Sequence, residues 1–461
     1  MKLFLRFLIL LIFLSSCSKA ENQDFRLILK VSDCVGCPVK LTSYDPLYFD
    51  PIKLDSFYLD YSGVKERQLQ VNELTQAYVS IGDSMQLPIL IKKGETLEVK
   101  SRNETLEFSG SLSELNSLFN SIIQLISDYE TIDGEYILDL ELEEFFNRLD
   151  DLTKKTTFVL DTSPFLSKTE RVVLQKVVKV KSLKYKYNYA LMNYNFYLNE
   201  EVPKQISEIE DFPDFPGLLP FDYGFLAKAY LDMRVYPKVW PTTDDRDSIN
   251  AFRLRADSLL RKSDYNSEVK NFLRAVNIKE EVYSNKNREV LKSLFLEYQK
   301  SSENSKYLSQ LSKVISQKSN LIEGTEAPNI IGLDINGERI ELSDLLGSTV
   351  VVDVWASWCK PCIKSFPQMD ELERRFPSSR VKFLYVSVDQ HEKQWKKAND
   401  KFLADKLSII ANDESTFYED YLIAGIPRYI VIDSNGLIID ADAPSPLSEK
   451  LEEVIQSGLL D

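Results

Sequence analysis

The sequence predicts a multidomain chain. An N-terminal all-β, sandwich-like domain spans residues 25–110, an α-helical region 111–320 and a C-terminal α/β domain 321–461. Three changes of texture predict this. Apolar and polar residues alternate up to Ser109, apolar residues recur at three- and four-residue spacing from Leu112, and from about Glu323 apolar runs interleave with amphipathic stretches. With 461 residues there is room for several cores, and 44% hydrophobic residues with only 15 Gly exclude a disordered or collagen-like polymer.

Residues 1–16 read as a signal peptide: Lys2 and Arg6, the apolar run Phe7–Leu14, then Ser15-Ser16. The run is far short of the roughly 20 residues a membrane-crossing helix needs. Leu14-Ser15-Ser16-Cys17 resembles the lipobox of bacterial lipoproteins, which implies that Cys17 is the acylated first residue of the mature chain and that 17–24 is a lipidated linker. More than one acyl chain on a single residue is enough for stable anchoring. The alternative is an ordinary leader cleaved near Ala20, which discards Cys17. Either way the rest is expected outside the cytoplasm, where disulfides persist.

In the β domain, Arg26–Val31, Gln68–Val71, Ala77–Ile81, Ile89–Ile91 and Leu97–Val99 suit short strands. Gly63, Gly82-Asp83, Lys93-Gly94 and Asn103 mark turns. Leu112, Leu115, Leu118, Phe119, Ile122, Ile123 and Ile126 open the helical region, followed by the Gly-free stretch Phe165–Leu198, which also reads as helical. Its Lys/Tyr run Val177–Tyr189 reads as a helix with a Tyr-lined packing face and a solvated basic face. Pro213, Pro216, Gly217 and Pro220 mark a loop, and helices resume over Phe221–Val235, Asp247–Arg261 and Glu268–Gln299. In the last region Val350–Trp355 and Val381–Val388 are buried strands. Cys362–Phe376, Glu392–Ala404 and Ser448–Ser457 are helices, and Tyr429–Asp433 with Leu437–Asp440 form a hairpin over Ser434-Asn435-Gly436.

The formal charge is −15, and losing Lys2 and Arg6 with the leader takes −15 to −17. Such a body repels phosphate backbones and anionic surfaces, which argues against a nucleic-acid partner. A single His leaves no His-rich metal site and argues against His-dependent relays. No metal site is expected.

The chemistry concentrates in Asp353-Val354-Trp355-Ala356-Ser357-Trp358-Cys359-Lys360-Pro361-Cys362. A buried strand runs into Cys-x-x-Cys where a helix begins. Thiols at this spacing close a disulfide with little backbone movement, and the helix N-terminus stabilises the Cys359 thiolate. Cys362, one turn in, suits the resolving role. Pro361 has no N–H, which the first turn tolerates. Asp353 is costly in an apolar strand unless it has a purpose. Burial would raise its pKa and let it accept the Cys362 proton; the alternative is an edge-facing carboxylate in water. Cys34-Val35-Gly36-Cys37 lies in a turn with no following helix. It reads as a stapled hairpin turn, a second redox or metal-binding pair being the alternative.

This segment resembles the active site of the thioredoxin superfamily, and Trp358-Cys359-Lys360-Pro361-Cys362 resembles its TlpA/ResA-like, membrane-anchored branch. Gly324-Thr325-Glu326-Ala327-Pro328 and Gly425-Ile426-Pro427 match that family's opening motif and cis-proline loop, in the same order. The resemblance covers residues 321–461 and implies that Ile426 and Pro427 form a substrate-docking edge. It implies an envelope thiol-disulfide oxidoreductase that exchanges with partner-protein disulfides or dithiols, acts as a reductant and is recharged by a membrane electron-donor protein. The implied cofactor is none beyond the redox-active disulfide. Cytochrome-maturation reductases of this branch usually carry Glu where this chain has Ser365, which argues against a dedicated role of that kind. The competing class is a non-catalytic binding lipoprotein that uses the fold as a scaffold. Intact Cys359, Pro361, Cys362 and Pro427 speak against it.

Overall fold

Alternation of inward and outward side chains builds the first strands. The structure, a computed structural model, describes residues 24–459 except 33, 35, 46, 48–50, 72–73, 83–84, 103–104, 133–134, 197–201, 210–211, 214–218, 241–250, 285–287, 303–304, 390, 412–414 and 424. Cys17 lies outside the described residues. The chain divides into two units, Met1–Asn277 and Ile278–Asp461. Among the described residues no helix is long and apolar enough to cross a membrane.

The first unit opens with β1 (Phe25–Val31), β2 (Pro38–Tyr44), β3 (Pro51–Tyr58), β4 (Val64–Leu69), β5 (Thr75–Ile81), β6 (Met85–Ile91), β7 (Thr96–Arg102) and β8 (Thr105–Ser109). They form two four-stranded sheets, β4-β1-β7-β8 and β3-β2-β5-β6. Phe25, Leu27, Leu29 and Val31 are buried on β1, as are Val39 and Leu41 on β2. The strand expected at Gln68–Val71 instead covers Val64–Leu69, because its antiparallel partner β1 begins at Phe25, opposite Leu69. The turn between β1 and β2 carries the disulfide Cys34–Cys37 with Cα atoms 5.5 Å apart, and Gly36 supplies the φ of 72° that the turn requires.

Helix α1 (Ser113–Glu130) follows, and the short pair β9 (Thr131–Ile132) and β10 (Glu135–Tyr136) leads to α2 (Leu142–Thr162) and α3 (Lys168–Asn193). Asn116 of α1 is fully buried. Its Oδ1 accepts from Leu90 N at 2.8 Å and its Nδ2 donates to Leu90 O at 3.0 Å, so the helix satisfies the backbone of the edge strand β6. Ser167 and Glu170 form a reciprocal capping box at the start of α3. The Tyr-lined face of α3 is buried through Tyr185, Tyr187 and Tyr189. Its basic face differs from the expectation of a solvated one: Lys181 and Lys184 each lie 2.9 Å from Asp222, which is 2% exposed and needs them as counter-charges.

The helices continue as α4 (Lys204–Ser207), α5 (Pro220–Tyr230), a π-turn over Leu231–Val235, α6 (Tyr236–Val239), α7 (Phe252–Arg261), α8 (Ser267–Ser284), α9 (Arg288–Ser301) and α10 (Leu308–Ser319). Helices α8 and α9 fill the stretch expected to be helical over Glu268–Gln299, residues 285–287 lying outside the described residues.

The rest of the second unit contains β11 (Ile331–Leu333), β12 (Arg339–Glu341), β13 (Thr349–Trp355), α11 (Lys360–Glu373), β14 (Val381–Ser387) and α12 (Glu392–Phe402). It ends with β15 (Leu407–Ile410), α13 (Phe417–Asp420), β16 (Arg428–Ile432), β17 (Ile438–Ala443) and α14 (Lys450–Ser457). Its seven-stranded sheet has the order β12-β11-β15-β14-β13-β16-β17. β13 is parallel to β14 and antiparallel to β16, and all seven of its residues are buried. Gly436 turns the β16–β17 hairpin with φ 84°, while Asp433 Oδ1 accepts from Asn435 N and Leu437 N.

Candidate active site

The site is built where β13 hands over to α11. Four valines of β13 (Val350, Val351, Val352 and Val354) fix a central strand buried on both faces. Cys359 N donates to Ala356 O at 3.0 Å, closing a turn with Ser357 and Trp358 at its corners. Cys359 is then the N-cap of α11, its Sγ accepting from Cys362 N at 3.2 Å. The two cysteines form a disulfide with Cα atoms 5.3 Å apart. Cys359 keeps 4% of its surface exposed and Cys362 none, so Cys359 is the residue a partner can reach. Trp358 is 65% exposed, and Lys360 and Pro361 are exposed on the first turn.

Asp353 is 2% exposed, and neither carboxylate oxygen has a hydrogen-bond partner among the described residues. It lies on the face of β13 shared by Val351 and Trp355, which belong to the same core cluster as Cys359, Cys362, Phe366 and Met369. Across the ladder it stands opposite Tyr385 of β14 and Tyr429 of β16. Desolvation pushes its pKa up to about 8, and no cation among the described residues offsets it. The edge-facing alternative therefore does not hold. Burial likewise raises both tyrosine hydroxyls well above their ordinary value.

The Ile426–Pro427 bond is cis, and both residues are half-buried. Val354 pairs with Arg428, so Pro427 falls at the end of the sheet from which β13 leads to Cys359, and Ile426 packs against the cluster that contains both cysteines. The structure thus brings Asp353, Trp358, Cys359, Lys360, Pro361, Cys362, Ile426 and Pro427 to one end of one sheet. Cys34 and Cys37 belong to the other unit.

Ser365, which the sequence marks only as a departure from a family pattern, is 2% exposed. It donates to Cys362 O at 2.8 Å and accepts from the Tyr429 hydroxyl at 2.9 Å, so a hydroxyl pair stands at this position. Sequence reasoning missed Asp389. It lies just beyond β14 and accepts from Ser357 N and Ser357 Oγ. A polar residue directly after the carboxyl end of a parallel strand next to the site is the signal that marks it.

The Cys34–Cys37 bridge has only two intervening residues. In a chain-entropy estimate so small a loop contributes about 2 kcal/mol at most. The double variant Cys34→Ser/Cys37→Ser is expected to keep nearly full insulin-reduction activity and to lose no more stability than that in denaturant unfolding. Loss of turnover would make the pair an electron relay instead.

A family model described as the AhpC/TSA family matches residues 324–441. The thiol-disulfide oxidoreductase ResA of a Bacillus cereus strain is 30% identical over 136 residues, 29% of this chain and 76% of that protein. ResA of Bacillus subtilis is 33% identical over 134 residues, 29% of this chain and 63% of that protein. Among solved structures, the thioredoxin domain of a thiol-disulfide oxidoreductase from Bacteroides vulgatus is 28% identical. That match covers 30% of this chain and 99% of that one, with a TM-score of 0.28.

Proposed function

The chain belongs to the ResA-like thiol-disulfide oxidoreductases with a thioredoxin-like domain, and from that premise we propose that it reduces disulfides of partner proteins in the cell envelope through Cys359 and Cys362. The observation that carries this reading is the Cys359–Cys362 disulfide at the N-terminus of α11 together with the unpaired, buried Asp353 on the strand beneath that helix.

In the reduced enzyme the Cys359 thiolate attacks one sulfur of the partner's disulfide. A Cys359–partner disulfide forms and the first partner thiolate leaves. Asp353 then takes the proton of the Cys362 thiol, and the Cys362 thiolate attacks the Cys359 sulfur. The Cys359–Cys362 disulfide re-forms, and the second partner thiolate leaves and takes a proton from water. Two electrons pass from enzyme to partner, and a membrane electron-donor protein restores the dithiol. Ile426 and Pro427 offer the edge on which the partner's extended backbone docks. The exposed Trp358 is apolar surface that a partner can cover.

Capture in cells tests the proposal. Cys362→Ala should accumulate partner proteins on Cys359, released by dithiothreitol, and the wild type should not. Absence of any such adduct, with no insulin reduction by the wild type, would leave the scaffold reading in place.

The envelope location rests on the leader and on Cys17. Cys17→Ala is expected to yield unprocessed or soluble protein on fractionation. A variant that stays fully with the membranes would put the anchor elsewhere.

A further inference from the structure

Asp389 is 5% exposed, yet no ion pair among the described residues accounts for it. Its Oδ2 accepts from Ser357 N at 2.8 Å and from Ser387 Oγ at 2.8 Å, and its Oδ1 accepts from Ser357 Oγ at 2.6 Å. Ser387 Oγ in turn accepts from Asp389 N at 3.1 Å, which fixes the carboxylate on its own strand end. Val388 N donates to Trp355 O at 2.9 Å, the last backbone link between the two segments among the described residues. Beyond it, this carboxylate is what ties the end of β14 to the turn that delivers the nucleophile.

The pinned residue occupies the first corner of the Ala356–Cys359 turn, and the exposed Trp358 is the second corner. Ser357 is thus held by both its N–H and its hydroxyl at the corner that precedes Trp358 and the Cys359 N-cap. We infer that Asp389 is a positioning residue that acts through Ser357 to present Trp358 and Cys359 to a protein disulfide.

This rests on the reading of Cys359 as nucleophile and goes beyond it. A small disulfide needs only the sulfur of Cys359. A protein disulfide must also seat its backbone beside Trp358, so a loosened turn costs it more. The clamp works by acceptor geometry and not by charge. In Asp389→Asn the amide oxygen still accepts from Ser357 N, and the amide N–H₂ donates to a Ser357 hydroxyl that has turned round.

The test uses the full chain, with insulin as the protein disulfide and 5,5′-dithiobis(2-nitrobenzoate) as the small one. In Asp389→Ala, kcat/KM on insulin is expected to fall about tenfold, and in Ser357→Ala about threefold, with Asp389→Asn within about twofold of wild type. The rate of the reduced enzyme with the small disulfide should change by less than about twofold in all three, since the thiolate chemistry itself is untouched. Equal losses on both substrates, no selective loss in Ser357→Ala, or failure of Asn to restore what Ala removes would overturn the inference. If Asp389→Ala does not fold, the Ser357→Ala and Asp389→Asn arms decide alone. Should insulin reduction survive Cys359→Ser, the nucleophile assignment itself falls, a result separate from any effect at Asp389.

Discussion

Cys359→Ser is expected to abolish insulin reduction, while Cys362→Ala stops after one attack with the partner still attached to Cys359. The asymmetry follows from where the two sulfurs lie. Cys359 is the N-cap of α11 and the only one of the pair with exposed surface. A helix N-terminus stabilises an adjacent negative charge by about 0.3 to 2 kcal/mol, which takes a thiol from about 8.5 down to as low as roughly 7. A carboxylate beneath the site would oppose this, but Asp353, pushed up to about 8, is mostly uncharged at neutral pH. A serine hydroxyl does not ionise in this range and cannot form the mixed disulfide. If Cys359→Ser keeps turnover, attack proceeds from another sulfur.

Asp353→Asn is expected to slow resolution of the mixed disulfide by about 10- to 100-fold near neutral pH, the scale of a lost general base. Wild-type resolution should rise about tenfold per pH unit below about pH 8, as the carboxylate forms, and level off above it. The Asn variant should lose that dependence. Stability runs the other way. A carboxyl group whose folded-state pKa is raised binds its proton more tightly in the native state. Its contribution is fully present below the unfolded value of about 3.9 and is lost as pH rises through about 8. Wild-type stability therefore declines across that window. Asp353→Asn is expected to overtake it by up to about 5 kcal/mol above pH 8, read from denaturant midpoints at pH 5 and pH 8.5. Unchanged resolution with lower stability at both pH values would make Asp353 a structural acid.

The site was legible because its chemistry is local in sequence. Asp353 to Cys362 is one strand-to-helix segment, and an acid in a run of valines stands out without any fold. Asp389 was not legible in that way, because its meaning lies in Ser357, which is 32 positions away and is brought beside it by the β13–β14 pairing. Ser365 stands out in the sequence only as a departure from a family pattern, because its partner Tyr429 lies 64 positions away on β16.

The same divide holds for the fold. β1 alternates cleanly and was readable, whereas β2 buries Ser43 among its inward residues, its hydroxyl satisfied by Gln76 O at 2.9 Å, and so hid its period. β15 has only four residues, too few for a pattern. Helix α2 buries Phe145, Leu149, Leu152, Thr156 and Leu160, and Thr156 breaks the apolar stripe because Leu152 O accepts its hydroxyl. Lys181 and Lys184 looked like solvent residues until the fold brought them a buried acid.

The most direct measurement is alkylation of the mildly reduced full chain by iodoacetamide across pH 5 to 10, with each cysteine followed by peptide mapping. The expected result is fast modification of Cys359 with a midpoint clearly below the free-thiol value of about 8.5, and slow modification of the buried Cys362 at every pH. A Cys359 midpoint at or above that value, or first modification at Cys34 or Cys37, would contradict the assignment of the nucleophile to the N-terminus of α11.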